Sequence, residues 1–278
     1  MKTTLNIQGR LYSLEKPLLM AVINLTPDSF YAGSRSQESD LLLRAEAMLK
    51  AGADILDVGG YSTRPGAAFV EQEEERRRVL PALALLRKHF PEAVLSVDTF
   101  RAAVAQEAVA VGAGIVNDVS GGTLDAAMFE TVAALQVPYI LMHLKGTPQN
   151  MAQMNQYENI FVEIIDFFQK KTYLLKNLGL KDVILDPGLG FAKDIRQNYL
   201  ILKHLPYFRA MGYPLLLGLS RKSMIYRTLG KSPEEALNGS TALHAWALAQ
   251  GASILRVHDV AEAKEVLALY EALQEAAP

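Results

Sequence analysis

The sequence predicts an α/β fold, a (β/α)8 TIM barrel built as one domain over residues 1–278 with its core at 15–275. Three observations carry that reading. Eight short runs rich in Val, Ile and Leu recur along the chain. Eight longer stretches with helical periodicity alternate with them. Each run delivers a polar or charged group at its C-terminal end. A run apolar on both faces suits a parallel strand covered by helices, and regular alternation of such strands with helices is the pattern of a barrel. An open doubly wound sheet is the alternative. No Gly-x-Gly-x-x-Gly opens a helix after the first run, so the dinucleotide-binding version of that sheet lacks support.

In chain order the runs are Leu18–Ile23, Ile55–Val58, Val94–Val97, Gly114–Val116, Tyr139–Met142, Val183–Leu185, Pro214–Leu217 and Ser253–Val257. The helical stretches are Asp40–Lys50, Glu73–His89, Arg101–Val111, Asp125–Leu135, Tyr157–Leu178, Ile195–Leu205, Gly239–Ala249 and Val260–Leu273. Thr99 and Asp125 stand where an N-cap acceptor belongs, and Gly52, Gly112, Gly179 and Gly251 where a left-handed residue closes a helix. Leu5–Arg10 reads as a small extra strand plugging the bottom of the barrel. No Pro/Gly-rich linker and no shift in composition divides the chain.

Half of the residues are hydrophobic and 21% are charged, a globular composition. The absence of cysteine excludes thiolate nucleophiles, zinc ribbons and iron–sulfur ligation. A net charge of −2 provides no global positive field for nucleic acid or a membrane surface. No apolar run approaches the ~20 residues of a membrane span, and the N-terminus shows no secretory pattern. The expectation is a soluble cytoplasmic protein whose counter-charges for any anionic ligand are local.

In a barrel, function gathers at the C-terminal ends of the strands. Those ends carry Asn24, Asp57, Asp98, Asn117-Asp118, Met142-His143, Asp186, Gly218-Leu219-Ser220-Arg221-Lys222 and Arg256-Val257-His258. Polar strand ends are ordinary one at a time; eight on one rim suggest a site. Asp57, Asp98 and Asp186 with the two amides suit a heterocycle edge bearing adjacent N–H donors and acceptors. Arg64, Lys222, Arg256 and His258 suit phosphate or carboxylate. Such a rim implies a substrate with a polar ring at one end and an anion at the other. Period-2 alternation points Asp118 away from this site. His143 reads as a structural strand-end residue, His89, His204 and His244 as surface or packing residues on helices, and Trp246 as core or subunit interface.

Two loops are long and punctuated by Gly and Pro. The first runs from Asn24 through Thr26-Pro27-Asp28-Ser29-Phe30 to Arg35, the second from Gly59-Gly60 through Ser62-Thr63-Arg64-Pro65-Gly66 to Ala67. Loops of this kind above a barrel rim commonly act as lids, and Ser62-Thr63-Arg64 offers donors to a phosphate.

These residues together form a pattern. Asn24-Leu25-Thr26-Pro27-Asp28-Ser29-Phe30, Gly59-Gly60-x-Ser62-Thr63-Arg64-Pro65-Gly66, Ser96-Val97-Asp98-Thr99 and Val116-Asn117-Asp118 are followed by Met142-His143-x-x-Gly146-x-Pro148 and Asp186-Pro187-Gly188-x-Gly190-Phe191-x-Lys193. Gly218-x-Ser220-Arg221-Lys222-Ser223 and Arg256-Val257-His258-Asp259-Val260 complete the set. In this order, over residues 5–275, the set resembles the dihydropteroate synthases. The resemblance implies a (β/α)8 barrel that joins (7,8-dihydropterin-6-yl)methyl diphosphate to 4-aminobenzoate, releases diphosphate, binds Mg²⁺, is inhibited by sulfonamides and forms a homodimer.

By that resemblance Asp98, Asn117, Asp186 and Lys222 would hold the pterin, with Met142, Phe191 and Gly218 packing its faces and Arg256 stacking on it. Asn24 would meet the metal, and Asn24, Thr63, Arg64, Arg256 and His258 would take the diphosphate. Phe30, Thr63, Pro65, Lys222 and Ser223 would border the aminobenzoate. Lys222, Asp98, Asp186 and Arg256 would carry the chemistry, by a dissociative, SN1-like route. One departure stands out: many members carry Glu where this chain has Tyr61, and a phenol takes no charge-based role there. Two rival readings are a barrel that moves a methyl group from methyltetrahydrofolate to a cobalamin protein and a non-catalytic pterin-binding paralogue. The first has no use for Thr63-Arg64-Pro65 and Arg256-x-His258; the second would be expected to have lost a residue such as Asn24, Arg64 or Lys222.

Overall fold

The computed structural model describes residues 2–25, 35–61 and 69–276. The chain opens with an antiparallel hairpin, β1 (Thr4–Ile7) and β2 (Arg10–Ser13). Its two turn residues, Gln8 and Gly9, both have positive φ, as the twist of a two-residue hairpin requires. The single strand expected at Leu5–Arg10 is therefore two strands, with the turn inside the expected span.

Eight parallel strands follow: β3 (Leu18–Asn24), β4 (Ile55–Gly59), β5 (Val94–Asp98), β6 (Ile115–Asp118), β7 (Tyr139–Met142), β8 (Val183–Asp186), β9 (Leu216–Gly218) and β10 (Ile254–Val257). They pair in the order β8-β7-β6-β5-β4-β3-β10-β9, and a bridge between Leu185 and Leu215 joins the two end strands. The barrel expected from the alternation is thus present. Around it lie α1 (Arg35–Lys50), α2 (Gln72–His89), α3 (Ala102–Ala110), α4 (Met128–Leu135), α5 (Ile160–Asn177), α6 (Ile195–Lys203), α7 (Leu205–Arg209), α8 (Ser223–Leu229), α9 (Leu237–Ala249) and α10 (Val260–Glu275).

Local chemistry sets the helix ends. The Asn159 side chain accepts from the Phe161 and Val162 amides to start α5, and Asp194 with Gln197 forms a reciprocal capping box on α6. Gly52, Gly112, Gly179 and Gly251 all have positive φ, as expected. Thr99 does not cap α3. That helix begins at Ala102, whose amide is taken by Asp125 Oδ2 at 2.7 Å from the loop before α4. The expected helix 195–205 breaks at His204, and Pro206 sits in the first turn of α7, where its missing N–H costs nothing. The short helix α8 was not anticipated. Among the described residues no helix is long and apolar enough to cross a membrane.

The barrel interior explains where the site lies. Met20, Ile55, Val94, Ile115, Ile140, Ile184, Leu216 and Ile254, one from each strand, form a buried band with Leu5, Ile7 and Leu14 of the hairpin region against it. This dry plug closes the bottom. Side chains alternate in and out along a strand, so the next inward residue lies two positions on. Those residues are Val22, Asp57, Ser96, Asn117, Met142, Asp186, Gly218 and Arg256. One step along eight strands converts a wholly aliphatic layer into one holding two carboxylates, an amide and a guanidinium.

Candidate active site

The upper band is tied together by its own charges. Arg256, near the end of β10, donates from Nε to Asp57 Oδ2 and from Nη2 to Asp98 Oδ2, each at 2.7 Å. Asn117 Nδ2 donates to the same Asp57 oxygen at 3.0 Å. That bond fixes the amide, leaving its oxygen free to act as the acceptor. Gly59 pairs in register with Asp98, and a Cβ at Gly59 would stand 3.3 Å from the Asp98 side chain and crowd the acid. Burial pushes Asp98 up to about 7; Arg256 opposes the shift and the neighbouring Asp57 adds to it.

The opposite wall comes from β8 and the turn after β9. Asp186 Oδ1 accepts from the Gly188 amide at 2.7 Å, and burial raises this acid too, against the pull of Lys222. The Lys222 ammonium donates to the Leu189 carbonyl and lies 4.6 Å from the centre of the Phe191 ring. Burial brings Lys222 down to about 8, with Asp186 resisting and Arg256 assisting. Met142 and Phe191 belong to an apolar cluster at this end, with Val119, Leu144, Met151 and Ala192. Gly218 places no side chain in front of Lys222 Nζ. The structure therefore gathers Asp98, Asn117, Met142, Asp186, Phe191, Gly218, Lys222 and Arg256 around one cup, with Asp57 beneath them.

The remaining expected residues divide. Asn24 ends β3 in register with Gly59, at the mouth of the cup. Ser223 is half-buried and opens α8, directly after Lys222. His258 is exposed, and its backbone amide donates to Ser220 Oγ at 3.3 Å. Phe30, Thr63, Arg64 and Pro65 lie outside the described residues, as do the centres of both long loops. Asp118 points away from the cup as expected, accepting from the Tyr139 hydroxyl at 2.6 Å and from the Ser120 and Gly122 amides. Trp246 is 47% exposed, so it is not a core residue; its indole N–H donates to the Leu202 carbonyl.

Sequence reasoning grouped Asp57 with the acids for a heterocycle edge; in the structure its Oδ2 is instead taken by Arg256 and Asn117. Two further groups escaped it. Glu75 on α2 is fully buried and ion-paired with Arg101, whose guanidinium lies 4.9 Å from the Phe100 ring centre. Tyr61 joins this cluster, edge-on to Phe100 and Phe69, and its oxygen accepts from Gln149 Nε2. Where many members of the resembling family carry Glu, Tyr61 instead links the loop after β4 to the loop after β7 through this hydrogen bond. Lys193 is the other omission. Its Nζ lies 3.1 Å from His143 Nδ1.

Known proteins share this fold. The sequence profile of the family described as "Pterin binding enzyme" matches residues 20–258. The dihydropteroate synthase of Escherichia coli K12 is 41% identical over 268 residues, spanning 95% of this chain and 94% of the relative. A crystal structure of the Yersinia pestis dihydropteroate synthase in a sulfonamide drug complex superposes with a TM-score of 0.92 at 39% identity, covering 98% of this chain and 100% of the other. The Xanthomonas albilineans dihydropteroate synthase with 4-aminobenzoic acid gives 0.91 at 37% identity, with 100% of both chains covered. The barrel, its acid-and-amide cup and the matching profile define the class, a pterin-binding enzyme. Within that class the chain belongs to the dihydropteroate synthase family, transferases of folate synthesis.

Proposed function

We propose that this chain joins (7,8-dihydropterin-6-yl)methyl diphosphate to 4-aminobenzoate through a dissociative displacement at the methylene carbon. The observation that carries the reading is the inward band, in which acids, an amide and a guanidinium from separate strands converge above an aliphatic plug, with Lys222 from the turn after β9 beside them. A pterin offers N–H donors along one edge and a carbonyl oxygen beside them. Asp186 accepts from the donor edge, Asn117 offers its amide oxygen, and Lys222 donates to the carbonyl. Phe191 and Met142 pack the ring faces and keep water from the reacting carbon. Arg256 leaves Asp98 to stack on the ring, freeing that acid for the pterin.

The C–O bond to diphosphate breaks first, and both electrons leave with the oxygen. Carboxylates at Asp98 and Asp186 stabilise the positive charge that spreads over the ring. Thr63, Arg64, Arg256 and His258 receive the departing anion. The aniline nitrogen of 4-aminobenzoate, bordered by Phe30, Thr63, Pro65, Lys222 and Ser223, then forms the C–N bond and releases its proton to solvent. Aniline is nucleophilic at neutral pH, so no strong base is needed.

Among the described residues no three His, Cys, Asp or Glu side chains cluster as a cage for a metal ion. Mg²⁺ keeps several waters and is held through one or two protein oxygens plus substrate phosphates. Asn24 would contribute its amide oxygen, and the ion would supply charge neutralisation for the diphosphate. We also assign the chain to a homodimer through its late helices, where Leu229 and Trp246 are about half exposed.

The experiment is release of diphosphate by the purified protein given the pterin diphosphate with and without 4-aminobenzoate. The reading expects release that depends on aminobenzoate, stoichiometric dihydropteroate, and competition by a sulfonamide. Binding of pterin without aminobenzoate-dependent turnover would instead identify a non-catalytic pterin-binding protein.

A further inference from the structure

The loop after β8, residues 187–193, carries three residues with positive φ: Gly188 (+69°), Gly190 (+83°) and Ala192 (+49°). Ala192 has a Cβ, so its conformation is disfavoured and persists only where surroundings hold it. The same loop presents two parts of the cup, the Phe191 ring and the Leu189 carbonyl on which Lys222 rests. Its shape therefore bears directly on the site.

One buried cation ties this loop down. Lys193 Nζ donates to the Gly188 carbonyl at 3.0 Å and to the Phe191 carbonyl at 2.9 Å within the loop. Across the gap, at the end of β7, it meets the His143 carbonyl at 3.4 Å and His143 Nδ1 at 3.1 Å. When Lys193 is an ammonium it has three hydrogens and no lone pair, and His143 then accepts through Nδ1 and carries its proton on Nε2. Burial and two nearby lysines hold the His143 pKa well below its usual value, which keeps the ring neutral for that purpose. The gap is tight: a Cβ at Gly188 would sit 2.2 Å from the His143 carbonyl oxygen. Crowded carbonyls repel one another unless a cation lies between them, and Lys193 is that cation. Burial also draws its own pKa down to about 7, against Asp186.

We propose that Lys193 is a positioning residue for pterin binding: its ammonium, seated on His143 and three carbonyls, holds the β8 loop in the shape that presents Phe191 and the Leu189 carbonyl to the cup. The proposal rests on the pterin reading of that cup and gives a task to His143 and Lys193, which that reading leaves without one. It separates this lysine from Lys222, which faces the substrate directly.

The chain has no cysteine, so Lys193→Cys creates a unique thiol. Alkylating the unfolded variant with 2-bromoethylamine rebuilds an ammonium at nearly lysine length; iodoacetamide gives a neutral adduct. After refolding, affinity for 6-hydroxymethylpterin and the KM for 4-aminobenzoate are measured, together with Lys193→Met. The proposal expects the neutral adduct and Lys193→Met to bind the pterin about tenfold or more weakly, with aminobenzoate KM within about threefold. It expects the aminoethyl adduct to recover wild-type pterin affinity within about threefold. Unchanged pterin binding in the neutral forms, equal loss for pterin and aminobenzoate, or no recovery with the ammonium would overturn it. If the neutral forms do not fold, His143→Leu replaces them, removing one acceptor and leaving the three carbonyls. Weakened pterin binding there supports the proposal and wild-type binding overturns it. A wild-type chain that binds no pterin would instead bring down the reading of the cup itself.

Discussion

Arg256→Met tests the electrostatics of the cup. The substitution keeps chain length and apolar bulk but removes the guanidinium between Asp57 and Asp98. Two charge-assisted hydrogen bonds of 2.7 Å are lost, worth about 1.5–3 kcal/mol each. The carboxylate side chains left behind are 0% and 7% exposed, and breaking a buried ion pair by deleting one partner costs about 3–5 kcal/mol. The two routes to the magnitude agree. The acids can relieve the penalty by binding a proton, so the loss depends on pH. Asp98 already sits at about 7 with Arg256 in place. A carboxyl whose folded pKa exceeds its unfolded value of about 3.9 leaves the folded state at full stability below that value, and stability falls as pH rises through the folded pKa. Removing Arg256 raises the folded value further and extends the fall above pH 7. Denaturant unfolding of both proteins should therefore differ little near pH 4.5 and by about 3–5 kcal/mol near pH 8. Adding Asp57→Asn to Arg256→Met should recover part of the loss at pH 8. A loss independent of pH, or one under about 1 kcal/mol at pH 8, would refute the view that Arg256 compensates these two acids.

Other consequences are as specific. Lys222 loses its proton near pH 8, so kcat/KM should decline above that pH; Lys222→Met should remove the decline and cut turnover about 100-fold or more, as read from a pH–rate profile. A wild-type profile flat to about pH 9.5 would contradict the role given to its ammonium. Gly188→Ala introduces a Cβ 2.2 Å from the His143 carbonyl at φ +69°, and calorimetry should show pterin affinity falling by about 1–3 kcal/mol. Tyr61→Phe removes only the bond from Gln149 and should cost about 0.5–1.5 kcal/mol in chemical denaturation, whereas Tyr61→Ala should cost about 3–5 kcal/mol by emptying the space between Phe69 and Phe100.

Much of the site was legible because it is written along strands. Asp57, Asn117, Asp186 and Arg256 each stand two residues beyond an aliphatic member of the plug, and the two-residue period of a strand puts them inside without further information. The same rule sent Asp118 outward, where Tyr139 and two loop amides hold it. Partners between distant segments were not legible. Nothing local says that Arg256 meets Asp57 and Asp98, because that depends on how the eight strands close on one another. Glu75 looks like any acid in the first turn of a charged helix, yet it is buried under Arg101. Lys193 belongs to a recognisable motif, but its partner His143 follows β7, fifty residues earlier. Helix α8 was hidden by its length, since seven residues barely show a helical period.

The charges lining the cup also bear on how the reaction is driven. Asp98 and Asp186 stand on opposite sides of the cup, and burial disfavours the ionised form of each, pushing both acids upward against the cations around them. A neutral pterin brings these carboxylates no charge. A pterin that has shed diphosphate carries one positive charge and stabilises their ionised form. On the dissociative route proposed above, the cup would match the cation better than the intact substrate, and fixed carboxylates need no reorganisation when the bond breaks. An associative displacement would place no such charge on the ring and would draw little from these acids. Asp98→Asn should then slow bond breaking far more than it weakens pterin binding, and equal effects on the two, measured by single-turnover kinetics and calorimetry, would favour the associative route.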